Sequence, residues 1–365
     1  MIPLAQPQVG SKEIQALARV VKSRVLASGR EVSQFEAGFA GYLGLDPAQA
    51  VAVSNGTTAL HAALTPLGLK AGDEVLTTPF TFIATANSVF HAGAKPRFAD
   101  INPFTYNLDP GAAKAALDKG GKKTKAILAV HLFGHPADLR GLSALCKKKG
   151  LALIEDCAQA HGAEVEGRKV GTFGRTAAFS FYATKNLPCG EGGMVTAKSP
   201  KDAARVRSLI NHGRGPSGHE TIGYNYRLNN LAAAVGLCQL ERLEAFNNAR
   251  RANAAFYRDL LTGVKGLVLP VEWPGFKHVY HQFTVLAPDR DLLSAELRKR
   301  GVDSKPFYPR IVPQEPAYLA LGYGREKLPV ALDAAARCLS LPVHPGIGAK
   351  EVRFIARQIR EILAS

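Results

Sequence analysis

The chain has 365 residues, 46% of them hydrophobic, and a chain of this length usually forms two domains rather than one core. Its 35 glycines and 22 prolines are spread along the sequence, which argues against a long disordered or low-complexity segment. The formal net charge of +16 suits an anionic substrate, but no nucleic-acid-binding motif accompanies the basic runs at 119 to 125 and 147 to 149. We therefore do not expect nucleic acid as a partner.

Neither a signal peptide nor a membrane-spanning segment is recognisable. The first residues lack a basic start followed by an apolar run, and no later stretch reaches about 18 uninterrupted apolar residues. We expect a cytoplasmic protein that does not bind a membrane. The cysteines are odd in number and have no CxxC spacing, so we expect reduced thiols and neither disulfides nor a metal site: Cys146, Cys157, Cys189, Cys238 and Cys338.

Helical periodicity and short apolar runs alternate through the first 200 residues. In chain order, the pattern predicts helices at 11 to 23 and 32 to 43, a helix that opens at about Thr57, a strand at 74 to 78, a helix at 81 to 92, strands at 96 to 99 and 126 to 130, a helix at 137 to 149, and strands at 151 to 155, 176 to 182 and 193 to 197. Such alternation is typical of a mainly parallel sheet covered by helices on both faces.

The last third of the chain has a different pattern. From about Leu228 to Leu261, few helix breakers occur, which predicts one or two helices that lead out of the large domain. Beyond them, apolar runs and helices at 291 to 300 and 350 to 363 recur in an α+β order. We predict a large domain at 1 to 240 and a small domain at 241 to 365, and leave open whether the N-terminal helix packs on the small one.

Polar residues follow the predicted strand at 151 to 155. Asp156 ends this strand, and Gln159 follows it in the segment EDCAQAHGA. In open α/β sheets the ligand crevice lies at the carboxyl ends of the strands. A buried carboxylate there needs a cationic partner, such as a protonated pyridine nitrogen. An aspartate that caps the next turn is the alternative interpretation.

Lys185 follows the next predicted strand, in FSFYATKNL, and precedes the turn-rich segment CGEGGM. Burial at the mouth of a crevice can lower the pKa of a lysine and make it a nucleophilic amine, as a Schiff base requires. Considered alone, a lysine is usually a solvated surface residue.

The segment SNGTTALHAAL at 54 to 64 predicts a turn of small residues that enters a helix. The amides of Gly56, Thr57 and Thr58 could hold a phosphate at the N-terminus of this helix, although an ordinary N-cap would look the same. Phe82, in PFTFIAT, could stack on a flat heterocycle or belong to the core.

Together these motifs resemble the DegT/DnrJ/EryC1/StrS family of sugar aminotransferases over nearly the whole chain. The matching segments are SNGTTAL, PFTFIAT, VHLFGHPADL, IEDCAQAHGA, FSFYATKNL with GEGGM, GYNYRLNNLAAAVG and LPVHPGI. The resemblance implies a pyridoxal 5'-phosphate enzyme of fold type I, with a mainly parallel seven-stranded sheet between helices and a smaller α+β C-terminal domain. It also implies amino transfer from an amino acid, expected to be L-glutamate, to a nucleotide-linked keto sugar for glycan or secondary-metabolite biosynthesis.

The resemblance assigns the cofactor ring to four residues. Lys185 would hold the cofactor as a Schiff base and move the proton during transfer. Asp156 would pair with the pyridine nitrogen, Gln159 would bond the ring hydroxyl, and Phe82 would stack on the ring. Members that have become sugar dehydratases carry histidine in place of this lysine, so Lys185 favours transamination.

The same resemblance assigns the cofactor phosphate to Ser180 and to Gly56, Thr57 and Thr58. Asn225, in GYNYRL, matches an asparagine that reaches the phosphate of the neighbouring subunit. This match implies a homodimer with shared active sites.

The segment around Tyr308 departs from the family pattern. Members usually have a histidine just before the tyrosine and another four residues after it, whereas Phe307 and Val312 stand here. Tyr308 and His344 are substrate-side candidates, with a core tyrosine and a turn residue as the alternatives. The GEGG form of the turn looks like that of members acting at C4 of a 4-keto-6-deoxy sugar.

Two other functions are open at this point. Another fold type I enzyme, acting on a small substrate, would show an arginine clamp for a carboxylate, and Arg214 and Arg227 are unassigned. A non-catalytic regulatory protein would use the positive charge to bind nucleic acid, but the sequence shows no helix-turn-helix or winged appendage.

Overall fold

The computed structural model describes residues 1 to 364. Up to residue 240 it contains, in chain order, α1 (Ser11–Ser23), α2 (Arg30–Leu43), β1 (Ala50–Val53), α3 (Gly56–Leu64), β2 (Glu74–Thr77), α4 (Ala84–His91), β3 (Lys95–Phe98), α5 (Pro110–Gly120), β4 (Thr124–Val130), α6 (Leu139–Lys149), β5 (Ala152–Asp156), β6 (Glu164–Val165), β7 (Arg168–Lys169), β8 (Thr176–Ser180), β9 (Gly193–Ala197), α7 (Pro200–Ile210), β10 (Arg214–Gly215), β11 (Gly218–His219) and α8 (Asn230–Leu240).

A seven-stranded sheet forms the centre of this part, with strand order β1-β9-β8-β5-β4-β2-β3. The five strands β8, β5, β4, β2 and β3 run parallel, whereas β9 is antiparallel to both of its neighbours. The predicted α/β class with a mainly parallel sheet is therefore confirmed. Parallel neighbours bring the ends of β5 and β8 to one edge of the sheet, and both strands end in residues assigned to the site.

Helices cover both faces of the sheet. Alternate residues of each strand point to opposite sides, so Phe179 packs with α2 residues such as Phe39, whereas Ala178 packs with α3 residues such as Leu64. Because both faces are buried, the strands are apolar along nearly their whole length.

The C-terminal part contains α9 (Leu243–Leu261), β12 (Phe276–Lys277), β13 (Phe283–Leu286), α10 (Arg290–Lys299), α11 (Pro316–Ala320), α12 (Pro329–Arg337), β14 (Cys338–Leu341) and α13 (Ala349–Ala364). The antiparallel pair β13 and β14 packs with α9, α10 and α13 in a separate hydrophobic core. The stretch predicted as one or two helices is two, α8 and α9. The domain boundary after residue 240 stays a prediction.

The N-terminal helix lies on α8. Ala16 and Val20 of α1 pack against Ala234, and Glu13 of α1 forms a salt bridge with Arg242, which directly precedes α9. The start of the chain also reaches the C-terminal part, where Ile2 pairs with Val302. Among residues 1 to 364, no helix is long and apolar enough to cross a membrane. All five cysteines are free thiols, as expected.

Candidate active site

The residues assigned to the site gather where β5 and β8 end. In the parallel register of these strands, Asp156 lies opposite Ala178, two residues before Ser180. The N-terminus of α3 adjoins the same edge, because a side chain added at Gly56 would lie 2.6 Å from Ser180 Cβ. The sheet topology thus brings three separate sequence motifs to one place.

Asp156 is a buried carboxylate that has hydrogen bonds but no salt bridge. Thr85 Oγ1 donates to Oδ2 at 2.8 Å and the Ala158 amide donates to Oδ1 at 3.1 Å, while only 4% of the residue is exposed. Burial raises the pKa of Asp156, although these donors and the charge of Lys185 oppose that rise. No cation of the described chain lies within salt-bridge distance of this carboxylate, so the site can accept a cationic group of a ligand.

Lys185 is a partly buried amine near this carboxylate. Its amide donates to the Tyr182 carbonyl at 2.9 Å, which closes the turn after β8. Burial lowers its pKa to about 8, and the negative charge of Asp156 limits the shift. Within residues 1 to 364, Nζ has no hydrogen-bond partner. Near neutral pH, the uncharged, nucleophilic form of Lys185 is therefore far more populated than that of an ordinary lysine.

Asn186 fixes the backbone beside Lys185. Its Nδ2 donates to Asn247 Oδ1 at 2.8 Å and to the Val279 carbonyl at 3.1 Å. Its Oδ1 lies 3.2 Å from His281 Nδ1. These contacts attach the lysine turn to α9 and to the segment before β13, so the lysine backbone has little freedom to move.

Gln159 presents its amide nitrogen to the crevice in a fixed orientation. The Phe133 amide donates to Oε1 at 2.7 Å, which leaves Nε2 to donate to the Tyr308 hydroxyl at 3.1 Å. Burial raises the pKa of Tyr308, so its hydroxyl stays protonated. The exposed Phe82 ring lies 6.1 Å from the Tyr308 ring. Tyr308, predicted as a substrate-side or core residue, lies in direct contact with Gln159, which is predicted to face the cofactor.

Three free donors meet at the N-terminus of α3. Within the described chain, the amides of Gly56 and Thr57 have no acceptor, and Ser180 Oγ accepts from Tyr182 while its own proton has none. Such a cluster at a helix N-terminus fits a phosphate. Thr58 differs from the prediction, because its amide and hydroxyl both bond to Asn55 and cap the helix. The structure thus leaves Gly56, Thr57 and Ser180 as the open donors.

Two other predicted residues make no hydrogen bond to these groups. His344 is buried, with Nε2 3.0 Å from the Pro3 carbonyl and Nδ1 accepting from the Gly346 amide at 3.2 Å. Both ring nitrogens are occupied by backbone groups, which favours the turn-residue interpretation over contact with substrate. Asn225 is exposed, and its side chain makes no hydrogen bond to any residue from 1 to 364. It is therefore free to contact another molecule.

A buried pair that sequence reasoning did not identify, His131 and Glu155, holds the backbone of Asp156 in place. His131 Nε2 donates to Glu155 Oε2 at 3.1 Å, because Nδ1 accepts from the Ala137 amide at 2.9 Å. The His131 amide in turn donates to the Asp156 carbonyl at 3.0 Å.

His131, Glu155 and Cys157 have ligand atoms within 4.8 Å of one another, as a metal site would. The Glu155 oxygens, however, are engaged by three further amides, those of Gly171, Phe173 and Gly174.

Comparison with known proteins identifies the family of this chain. The DegT/DnrJ/EryC1/StrS aminotransferase family model matches residues 7 to 360. The chain is 39% identical over 358 residues to the pleiotropic regulatory protein of Geobacillus stearothermophilus, covering 97% of this chain and 95% of that protein. It is also 39% identical over 367 residues to the dTDP-3-amino-3,4,6-trideoxy-alpha-D-glucose transaminase of Streptomyces venezuelae, covering 99% and 96%.

The fold agrees as well. The crystal structure of S. venezuelae DesV in complex with a ketimine intermediate has a TM-score of 0.92 and 40% identity to this chain, covering 97% of this chain and 94% of that one. The family match spans nearly the whole chain, and Asp156 and Ser180, two of the residues that carried the resemblance, end adjacent strands of the sheet. This protein is an aminotransferase that belongs to the DegT/DnrJ/EryC1/StrS family.

Proposed function

We propose that this aminotransferase uses pyridoxal 5'-phosphate to move the amino group of L-glutamate to a nucleotide-linked keto sugar. The observation that carries the proposal is the proximity of Asp156 and Lys185, whose charges interact although no salt bridge joins them. The first is a buried carboxylate without a salt bridge, and the second is an amine whose pKa is lowered to about 8. Both lie at the sheet edge that also carries the open donors of α3.

The described residues fit this cofactor. Asp156 would face the pyridine nitrogen, Gln159 Nε2 would donate to the ring oxygen, and Phe82 would cover the ring. The amides of Gly56 and Thr57, with the Ser180 hydroxyl, would hold the phosphate. When bound, pyridoxal phosphate supplies an aldehyde that condenses with amines and a protonated ring that withdraws electrons from the bound carbon.

Two residues of the chain would take part directly in the chemistry. Lys185 Nζ would accept the proton from the α carbon of glutamate in the first half of the reaction, and in the second half it would donate a proton to the sugar carbon that receives the amino group. Asp156 would favour the protonated form of the ring nitrogen through its negative charge. Glutamate leaves as 2-oxoglutarate, and the keto sugar leaves as an amino sugar.

The acceptor we propose first is a 4-keto-6-deoxy sugar on a nucleotide. The support is the GEGG turn at residues 190 to 193, which resembles that of members acting at C4. The sugar in the name of the Streptomyces relative carries its amino group at C3, so a 3-keto sugar is the competing acceptor. The +16 net charge suits the diphosphate of either substrate.

We further propose a homodimer with shared active sites. Asn225 has a free side chain, and two exposed apolar side chains, Ile222 and Tyr224, lie close to it in sequence. A third, Tyr182, lies three residues before Lys185. Exposed apolar groups of this kind often mark subunit contacts. Asn225 of one subunit would then reach the cofactor phosphate of the other.

The absorbance of the purified protein tests the proposed function. After pyridoxal phosphate is added and excess removed, we expect a near-visible band that L-glutamate bleaches. A nucleotide-linked 4-keto-6-deoxy sugar should then restore the band, and the 3-keto isomer serves as the matched comparison. Absence of any band in the reconstituted protein would contradict the cofactor, and restoration by the 3-keto sugar alone would correct the acceptor.

Gly56→Ala is expected to weaken binding of pyridoxal phosphate. The new methyl would stand 2.6 Å from Ser180 Cβ, so α3 and the end of β8 must separate and the free donors move apart. A hydrogen bond to a charged group contributes about 1.5–3 kcal/mol, so the loss of one such bond to the phosphate corresponds to roughly 10- to 150-fold in affinity. Titration of the cofactor-free protein measures the effect. Gly41→Ala, at an α2 position with no atom within 4 Å, is the control, and equal affinity of both variants would contradict a phosphate site here.

A further inference from the structure

Arg250 is a buried cation without a carboxylate partner. It lies on α9, is 6% exposed, and uses Nη1 to donate to the carbonyls of Tyr280 at 3.3 Å and His281 at 3.2 Å. Its Nε is buried and has no acceptor, and its Nη2 has none among residues 1 to 364. Of the five N–H groups of this guanidinium, only those on Nη1 are therefore satisfied by the protein.

The surroundings of Arg250 add no negative charge. The charge of Arg250 lowers the pKa of three neighbouring histidines, His161, His281 and His344. Burial lowers the pKa of Arg250 itself to about 10, which still leaves it charged near neutral pH. A buried guanidinium with neutral neighbours is costly unless an anion joins it. The arrangement thus lacks one anionic group.

The same arginine lines a cavity with Lys185. Other walls come from Gln6 to Gln8, from Gln239 and from Pro345. Gln239 is fully buried, and its Oε1 is a second polar atom without a partner. The cavity is too small for a sugar ring or a nucleotide.

We propose that Arg250 binds a carboxylate of the amino-acid donor next to Lys185. The inference rests on the proposed function, because it assigns a residue to the donor of that same reaction. A guanidinium matches a carboxylate with two parallel N–H donors, and its Nε and Nη2 form the edge that is free here. The donor amine must reach the group held by Lys185, and Arg250 shares a cavity with that lysine. The cofactor phosphate has its own donors at α3, so it does not compete for this arginine.

The experiment compares Arg250→Gln and Arg250→Lys with Arg251→Gln in the reconstituted enzyme. Arg251 is the sequence neighbour, but it is partly exposed and already paired with Glu272 at 2.7 Å. Bleaching of the cofactor band is followed as L-glutamate is varied. For Arg250→Gln we expect the half-saturating glutamate concentration to rise about tenfold or more, with the keto-sugar half-reaction nearly unchanged. Arg250→Lys should be intermediate, and Arg251→Gln should match the parent protein.

A binding measurement without turnover separates a donor site from a structural arginine. Succinate and 2-oxoglutarate should raise the unfolding temperature of the reconstituted parent and of Arg251→Gln, but not that of Arg250→Gln. L-Alanine in place of L-glutamate distinguishes the two carboxylates. If Arg250→Gln weakens the binding of both donors, Arg250 binds the α-carboxylate. If it weakens the binding of glutamate alone, Arg250 binds the side-chain carboxylate.

The outcomes against the inference are equally definite. An unchanged half-saturating glutamate concentration in Arg250→Gln, with an intact cofactor band, overturns it while the proposed function stands. If Arg250→Gln does not fold, the same two measurements on Arg250→Lys decide in its place. If the parent protein itself does not react with any amino acid, the proposed function fails, and this failure is seen before any variant is compared.

Discussion

Lys185→Ala is expected to abolish amino transfer while leaving the fold intact. The lysine amine is both the covalent attachment point and the group that moves the proton, and loss of positioned acid–base catalysis alone costs roughly 10²- to 10⁴-fold. The near-visible band should also be lost or shifted, because no amine remains to bond the cofactor. Turnover of L-glutamate with a keto sugar measures the loss, and full turnover in this variant would disprove the assignment.

The stability of this variant tests the same environment independently. In the folded protein the pKa of Lys185 is about 8, below its ordinary 10.5, so the unfolded chain binds the proton more tightly. Stability from this group therefore increases with pH between about 8 and 10.5, and the charged form is disfavoured below that window. Without cofactor, Lys185→Ala should accordingly unfold at no lower temperature than the parent at pH 7. Lys198→Ala, at an exposed lysine after β9, is the matched control for both measurements.

The sheet could be predicted from the sequence because its strands carry a local signal. The runs at 151 to 155 and 176 to 182 correspond to Ala152–Asp156 and Thr176–Ser180, since buried parallel strands are continuously apolar and end at polar residues. The strand Ala50–Val53 was missed because four apolar residues are too few to separate a strand from a loop. The helix at Pro110–Gly120 was also missed, although its N-cap aspartate and following proline are a recognisable start signal.

Site residues were predictable where a sequence motif identifies them, but not where only the tertiary structure determines which residue is buried. Asp156 and Lys185 stand out by their position after strands, and the fold brings them together. Arg250 and Arg251 are adjacent in a helical stretch and look alike in sequence. Successive helix residues differ in direction by about 100°, so one points inward and the other pairs with Glu272. Only the packing of α9 against the segment at 280 and 281 reveals which one is buried.

Thr85 is a second residue whose role the sequence does not reveal. It lies three residues after Phe82 in PFTFIAT, and its hydroxyl reaches Asp156, 71 residues further along the chain. A threonine within a helical pattern gives no sign of such a partner. Thr58 shows the converse, because the SNGTT motif predicts an amide that is free to hold a phosphate, whereas the capping geometry uses both the amide and the hydroxyl of Thr58 locally.

Asp156→Asn is expected to lower amino transfer roughly 10²- to 10³-fold, as removal of one fixed electrostatic group in an active site does. The amide has the same shape but no charge, so the ring nitrogen would lose its proton and withdraw electrons less strongly. Because burial already raises the pKa of Asp156, a neutral side chain should not destabilise the fold. Turnover and the unfolding temperature are measured together.

Thr85→Val is the matched variant for this position. It removes the 2.8 Å hydrogen bond to Oδ2 but keeps the negative charge of Asp156. If the charge is what matters, Thr85→Val should lose far less activity than Asp156→Asn, with a small change in the cofactor band. If the two variants lose activity equally, the orientation of the carboxylate rather than its charge limits the reaction, and the electrostatic role assigned to Asp156 is wrong.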